Sequence, residues 1–328
     1  MKTLQQDLQT GQFKNIYLLY GEEAYLKDQY KERLKNALIP PEDTMNLNHY
    51  KGKGISVQEL IDQAETMPFF SERRLLMIED SGFFKNATAE LAEYLEQVPE
   101  TTYFVFVENE VDKRGKLYKT VKSKGSVVEF VRQTEEMLQR WVLGTLKKEQ
   151  KNITRNTMEL FFSKTGTDMS NIHTELEKLL SYTMGREVIT SEDVEEICTT
   201  QTTGKVFDMV DSMAEKQQRR ALDLYYDLLA QKEPPMRILY LVTRQFHILM
   251  QVKELRAEGM DQQNIAQKCG LQSFAMRKYL KQGEHYTIEH LKRLVERAVS
   301  LEEDVKNGRI NDQLAVELMI ISGSQERK

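Results

Sequence analysis

Ile16-Tyr17-Leu18-Leu19-Tyr20-Gly21-Glu22-Glu23-Ala24-Tyr25-Leu26-Lys27-Asp28 is the stretch on which the fold turns. Five apolar or aromatic residues without a helical period read as a buried strand. Gly21 then leads into a helix-forming run near 23–37. A phosphate-binding loop sits between such a strand and such a helix, and reads Gly, four residues, then Gly-Lys-Ser/Thr. The spacing from Gly21 to Lys27 fits. Leu26 stands where the second glycine lets the backbone curl round phosphates. Asp28 replaces the hydroxyl that holds magnesium. Glu22 and Glu23 put carboxylates at the helix N-terminus, where the dipole attracts phosphate. The layout is that of a nucleotide-binding domain, and the loop chemistry argues against a nucleotide. Two origins stay open: a lapsed phosphate loop, or an ordinary strand–turn–helix. Neither predicts ATPase activity.

Three more apolar runs follow: Leu75-Leu76-Met77-Ile78, Tyr103-Phe104-Val105-Phe106-Val107 and Val127-Val128-Glu129-Phe130-Val131. Helix-like stretches lie near 57–66, 87–96 and 112–122. Alternation of strand and helix implies a mostly parallel sheet covered on both faces. The run Tyr103–Val107 leads into Glu108-Asn109-Glu110, where an ATPase carries an acidic pair; Glu108 mimics part of it and Asn109 is no base. This α/β domain is expected over 1–133.

Beyond it the strand signal disappears. Leu138, Trp141, Val142 and Leu146 recur at helical spacing, as do Ile172, Leu176, Leu179 and Leu180. Thr190-Ser191-Glu192-Asp193 carries helix-cap chemistry. These features predict a small helical domain over 134–204. Stripes at Val206–Met213, Ala221–Leu229 and Leu239–Leu249, with Pro234-Pro235 opening a long helix, predict a helical bundle over 205–328. The expected fold is α/β plus all-α.

Composition bounds the function. The chain has 328 residues, 40% apolar and 30% charged, with a formal net charge of -5. That charge does not suggest a protein that coats DNA or an acidic membrane. Residues 1–8 lack an apolar core of signal-peptide length, and no apolar run reaches bilayer length. The two cysteines and five histidines form no metal-ligand or disulfide pattern. We expect a cytoplasmic protein with no membrane association, no cofactor and no metal.

In Met67-Pro68-Phe69-Phe70-Ser71-Glu72-Arg73-Arg74, Pro68 disfavours a helical Met67. Two phenylalanines then sit between a helix and a strand. They either pack under the helix or present an apolar knob to a partner's pocket; burying each is worth about 1.5–3 kcal/mol. Arg73 and Arg74 beside them are read as rim contacts or as solvated charges.

Taken together these features resemble the delta subunits of the bacterial DNA polymerase III clamp loader. The resemblance runs the full length. It covers the degenerate loop, the Met67-x-Phe69-Phe70 turn with Arg73, Trp141, and Ile172-x3-Glu175-Leu176-x-Lys178-Leu179. Its most specific parts are Arg244-Gln245-Phe246, Lys253, Gly259, Ile265-Ala266 and Leu301-Glu302-Glu303-Asp304. Asp304-Val305-Lys306-Asn307-Gly308 keeps the family's Asp and Lys-x-Gly with one residue fewer between them. The resemblance implies an AAA+-like domain without ATPase activity, a small helical lid and a C-terminal collar. It implies that the protein opens the ring-shaped beta sliding clamp, with Met67, Phe69, Phe70 and Arg73 at the contact. Gly21, Leu26, Lys27 and Asp28 fall on a non-functional phosphate loop. The implied partners are the gamma/tau ATPase subunits, delta-prime and, in the assembly, primer–template DNA. The implied membership is of the DNA polymerase (nucleotidyltransferase) holoenzyme.

Two other readings compete. Residues 264–280, with Ile265-Ala266, Gly270 and a basic second helix, resemble a helix-turn-helix of a DNA-binding regulator. Phe274 and Met276 look instead like packing residues of two short bundle helices. An active AAA+ ATPase is the third reading.

Overall fold

The computed structural model describes residues 2–86, 88–271 and 273–325, with the side chains of Ser273 and Phe274 outside that description. The chain divides into two compact units, 1–134 and 135–328.

The first unit runs α1 (Lys2–Thr10), β1 (Ile16–Tyr20), α2 (Ala24–Leu38), β2 (Leu47–Lys51), α3 (Val57–Glu65), β3 (Arg74–Glu79), α4 (Ala89–Tyr94), β4 (Thr102–Glu108), α5 (Lys116–Lys124) and β5 (Ser126–Glu129). The five strands form one parallel sheet in the order β2-β3-β4-β1-β5. β1 lies between β4 and β5, with Ile16 opposite Phe104 and Tyr17 opposite Ser126. All five of its residues are buried, which is why it shows no alternation. Successive side chains take opposite faces. Ile16, Leu18 and Tyr20 join Leu76, Ile78, Phe104 and Phe106 in a core closed by Leu60, Leu91, Leu117 and Val121 from α3, α4 and α5. On the other side, the Tyr17 hydroxyl donates to Asp7 of α1 at 2.8 Å, and Tyr30 of α2 packs against Phe130.

The four expected strands are present, although the last stops at Glu129 and Phe130 continues as buried loop. β2 and α1 were not anticipated. β2 is a polar edge strand, Leu-Asn-His-Tyr-Lys, and lacks the apolar run that marks an inner strand. The helix expected over 112–122 begins at Lys116, because Asp112 turns the chain by accepting from the Arg114 amide. The helix expected near 87–96 is α4; Ala87 lies outside the described residues.

The second unit holds α6 (Glu135–Lys148), β6 (Asn152–Ile153), α7 (Arg155–Thr165), α8 (Met169–Tyr182), β7 (Val188–Ile189), α9 (Ser191–Ile197), α10 (Thr202–Ala214), α11 (Gln218–Ala230), α12 (Pro235–Ala257), α13 (Gln262–Lys268), α14 (Ser273–Gly283), α15 (Ile288–Lys306) and α16 (Asp312–Ser324). Strand structure does not vanish as expected: β6 and β7 form a two-residue parallel pair, too short to leave a pattern. Thr190 and Asp193 complete a capping box on α9. Met209, Tyr225, Phe246, Leu294 and Met319 fill one core shared by α10, α11, α12, α15 and α16. α13 and α14 bury Ile265, Ala266 and Met276 against Ile248 and Val252 of α12. The two are thus packing helices of the bundle; Phe274 lies outside the described side chains. No helix among the described residues is long and apolar enough to cross a membrane.

Gly21 closes the junction of β1 and α2. Its φ is +125°, and a Cβ there would sit 2.3 Å from the Phe130 carbonyl oxygen. Gly21→Ala is expected to destabilise the chain by more than about 2 kcal/mol, read from its chemical denaturation curve.

Candidate functional site

Two places in the first unit carry the predicted site residues, and they lie at opposite ends of the parallel sheet. The C-terminal end holds the 21–28 loop. Connections leave β1 and β4 in opposite directions, so the crevice between their ends is where an α/β sheet takes a ligand. Here Lys27, 5% exposed, lies at the ends of those strands. Its Nζ donates to the Gly21 carbonyl at 3.1 Å, the Glu108 carbonyl at 3.0 Å and Asn109 Oδ1 at 2.7 Å. Burial lowers its pKa. Leu26 is buried in the domain. Asp28 faces solvent and pairs with Lys31 at 3.3 Å. Glu22 pairs with Arg132 at 3.4 Å, and the Glu23 amide donates to the Phe130 carbonyl.

The acidic end of β4 is engaged as well. The Glu108 carboxyl accepts from the Ser81 amide and hydroxyl, and burial pushes its pKa up. Asn109 donates to Asp80 at 2.8 Å while accepting from Lys27. Among the described residues no group of three His, Cys, Asp or Glu side chains is placed to hold a metal ion.

The N-terminal end of the sheet carries the second place. α3 is capped at its start by Ser56 and stops at Thr66, before Pro68. The chain then turns through Met67, Phe69 and Phe70 into β3. Phe70 is 96% exposed, Met67 78% and Phe69 54%. The two rings meet edge to face with centroids 4.5 Å apart. Phe70 holds φ +49°, unusual for an aromatic residue. The reading in which both phenylalanines pack under α3 is overturned: the left-handed step sends the second ring outward.

The turn is fastened from a residue that sequence reasoning missed. Asn46, fully buried just before β2, accepts from the Phe69 amide at 2.7 Å and donates to the Phe69 carbonyl at 2.9 Å. Asp43 grips Asn46 in turn, accepting from its amide and side chain; these hydrogen bonds hold the Asp43 carboxyl below its usual range. The Asp-x-x-Asn spacing signals a local turn, but nothing in it points to a partner at position 69.

Of the two arginines, Arg74 departs from expectation. Arg73 is half-buried, its guanidinium over the rings of Phe13 and Tyr103. Arg74 is neither a rim contact nor solvated. It is 5% exposed, donates to Asn48 at 2.9 Å and reaches the Met67 carbonyl at 3.4 Å. A residue beginning an inner strand must point into one of the covered faces.

Lys27→Met is expected to destabilise the chain by about 3 kcal/mol in thermal unfolding, because it strands two backbone carbonyls and Asn109 without their donor.

Comparison with known proteins gives a consistent result. The family model "DNA polymerase III, delta subunit" matches residues 17–131, and "DNA polymerase III delta subunit, C-terminal domain" matches residues 203–322. The chain is 26% identical over 326 residues to DNA polymerase III subunit delta of Bacillus subtilis (strain 168), covering 96% of this chain and 94% of that protein. It is 23% identical over 295 residues to the probable DNA polymerase III subunit delta of Aquifex aeolicus (strain VF5), covering 85% and 83%. The solved structure of the Bacillus subtilis DNA clamp loader delta protein superposes with a TM-score of 0.64 at 25% identity, covering 99% of each chain. Neither the helix-turn-helix regulator nor the active ATPase finds support. The chain belongs to the family of DNA polymerase III delta subunits.

Proposed function

We propose that this chain is the clamp-loader subunit that grips the beta sliding clamp through the Phe69–Phe70 turn and favours an open ring. The observation that carries the reading is the pair itself: two adjacent aromatic rings, standing in solvent on a fastened turn. Exposed aromatics clustered this way mark a binding site. Seating them in an apolar pocket supplies about 1.5–3 kcal/mol each. A ligand shifts an equilibrium only by its differential affinity, so the pocket must fit these rings better when the ring interface is strained or open. Met67 widens the apolar patch. Arg73 supports it from beneath by stacking on Phe13 and Tyr103.

The 21–28 loop fits a lapsed phosphate loop. Lys27 is committed to the chain's own carbonyls, and Leu26 and Asp28 lack the chemistry for phosphate and magnesium. Hydrolysis then belongs to the gamma/tau subunits of the assembly, and this chain is a non-catalytic cytoplasmic subunit of the polymerase holoenzyme. In the same reading residues 134–204 form the lid and 205–328 the collar that meets the ATPase subunits and delta-prime. Primer–template DNA is gripped by the assembly, in keeping with the net charge of -5 of this chain.

Replacing both Phe69 and Phe70 with Ala is expected to weaken binding to a purified bacterial sliding clamp by roughly 100-fold. Calorimetry on the folded variant decides this, and unchanged affinity rejects the site. Titration with a fluorescent ATP analogue and magnesium is expected to give no saturable micromolar binding. Saturable binding abolished by Lys27→Ala would contradict the lapsed-loop reading.

A further inference from the structure

We infer that Asn46, held by Asp43, is the positioning residue of the Phe69–Phe70 turn, and that it keeps the turn in its binding shape before any partner arrives. The inference rests on the clamp-binding reading of that turn. A side-chain amide presents the same donor and acceptor as a peptide group. Asn46 uses both at once, accepting from the Phe69 amide and donating to the Phe69 carbonyl. Phe69 is thereby held as if paired in a sheet, although no strand runs beside it.

Asn46 is itself fixed on its other sides. Its carbonyl accepts from the Leu75 amide at 2.8 Å, which joins it to the first residues of the sheet. Its own amide and Nδ2 donate to the Asp43 carboxylate at 2.8–3.1 Å. The Asp43 carboxylate accepts and cannot donate, so it fixes the Nδ2 end on its own side and leaves Oδ1 to accept from the Phe69 amide. The residue type is thus tightly constrained. Aspartate at position 46 would lose the donor to the Phe69 carbonyl and set a second negative charge beside Asp43. Alanine would lose both hydrogen bonds.

The consequence concerns affinity. A free Met67–Phe70 segment would fold its rings back onto apolar surface, and a partner would have to reorder it. Fastening the backbone at Phe69, one residue before the left-handed step at Phe70, removes that ordering cost. Asn46 touches no partner; it acts through Phe69.

The test compares full-length wild type, Asn46→Ala, Asp43→Ala and the Phe69→Ala/Phe70→Ala chain. Amide hydrogen exchange and calorimetric affinity for a purified bacterial sliding clamp are read on each. In the wild type the Phe69 amide, bonded to Asn46, is expected to be protected although its ring is exposed. Asn46→Ala is expected to remove that protection, leave the Leu76 and Ile78 amides protected, and weaken clamp binding roughly tenfold. Asp43→Ala, on a half-exposed site, is expected to move both readings in the same direction by a smaller factor. It decides the matter should Asn46→Ala fail to fold. Unchanged Phe69 protection and unchanged affinity in the folded variants overturn the positioning role, while loss of binding in the Phe69→Ala/Phe70→Ala chain keeps the clamp reading standing. Full binding by the Phe69→Ala/Phe70→Ala chain overturns the clamp reading, and the positioning role with it.

Discussion

Lys27 gives its ammonium to the chain's own backbone, and the first unit is built round that bond. The ends of β1 and β4 present carbonyls and a buried carboxyl to one crevice. In a nucleotide-binding relative of this layout a lysine at this place reaches phosphate. Here the lysine bonds instead to the Gly21 and Glu108 carbonyls and to Asn109. Gly21 makes the junction of β1 and α2 geometrically feasible, since a side chain there would strike the Phe130 carbonyl.

The other end of the same sheet carries the exposed turn. β2 and β3 begin there, and the residues just before them, Asn46 and the 67–73 turn, face each other across the sheet edge. Arg74 fixes the Met67 carbonyl from inside the sheet while Asn46 fixes Phe69 from the residue just before β2. Exposed phenylalanines normally lower their free energy by finding apolar cover on their own domain. These stand in solvent over a backbone hydrogen-bonded to Asn46 and Arg74. The 21–28 loop thus lies at the C-terminal end of the sheet and the exposed Phe69–Phe70 turn at its N-terminal end.

Much of this was legible in the sequence. β1, β3 and β4 are buried on both faces and announce themselves as unbroken apolar runs, so the parallel α/β unit was readable. Residues with amphipathic spacing, such as Leu176 and Leu179 or Phe246 and Leu249, marked the helical unit equally well. β2 escaped because an edge strand with polar residues carries neither an apolar run nor clean alternation. With β2 unseen, Asn46 had no visible link to Phe69, although that contact decides whether the phenylalanines are core or display. Arg74 was misread for a related reason: local sequence shows a charge next to a turn, and only the sheet shows that its side chain points inward. The Phe69–Phe70 alternative could not be settled from pattern, since a left-handed φ at an aromatic residue leaves no mark in composition.

In the proposed function Phe70 is the point of contact with the clamp. Installing the photo-crosslinker p-benzoylphenylalanine at position 70 of the full chain and irradiating it with a purified bacterial sliding clamp tests this directly. One crosslinked product is expected, mapped to an apolar pocket on the clamp and competed away by unmodified chain. A clamp that still co-purifies with the chain but crosslinks from other positions and never from position 70 would contradict it.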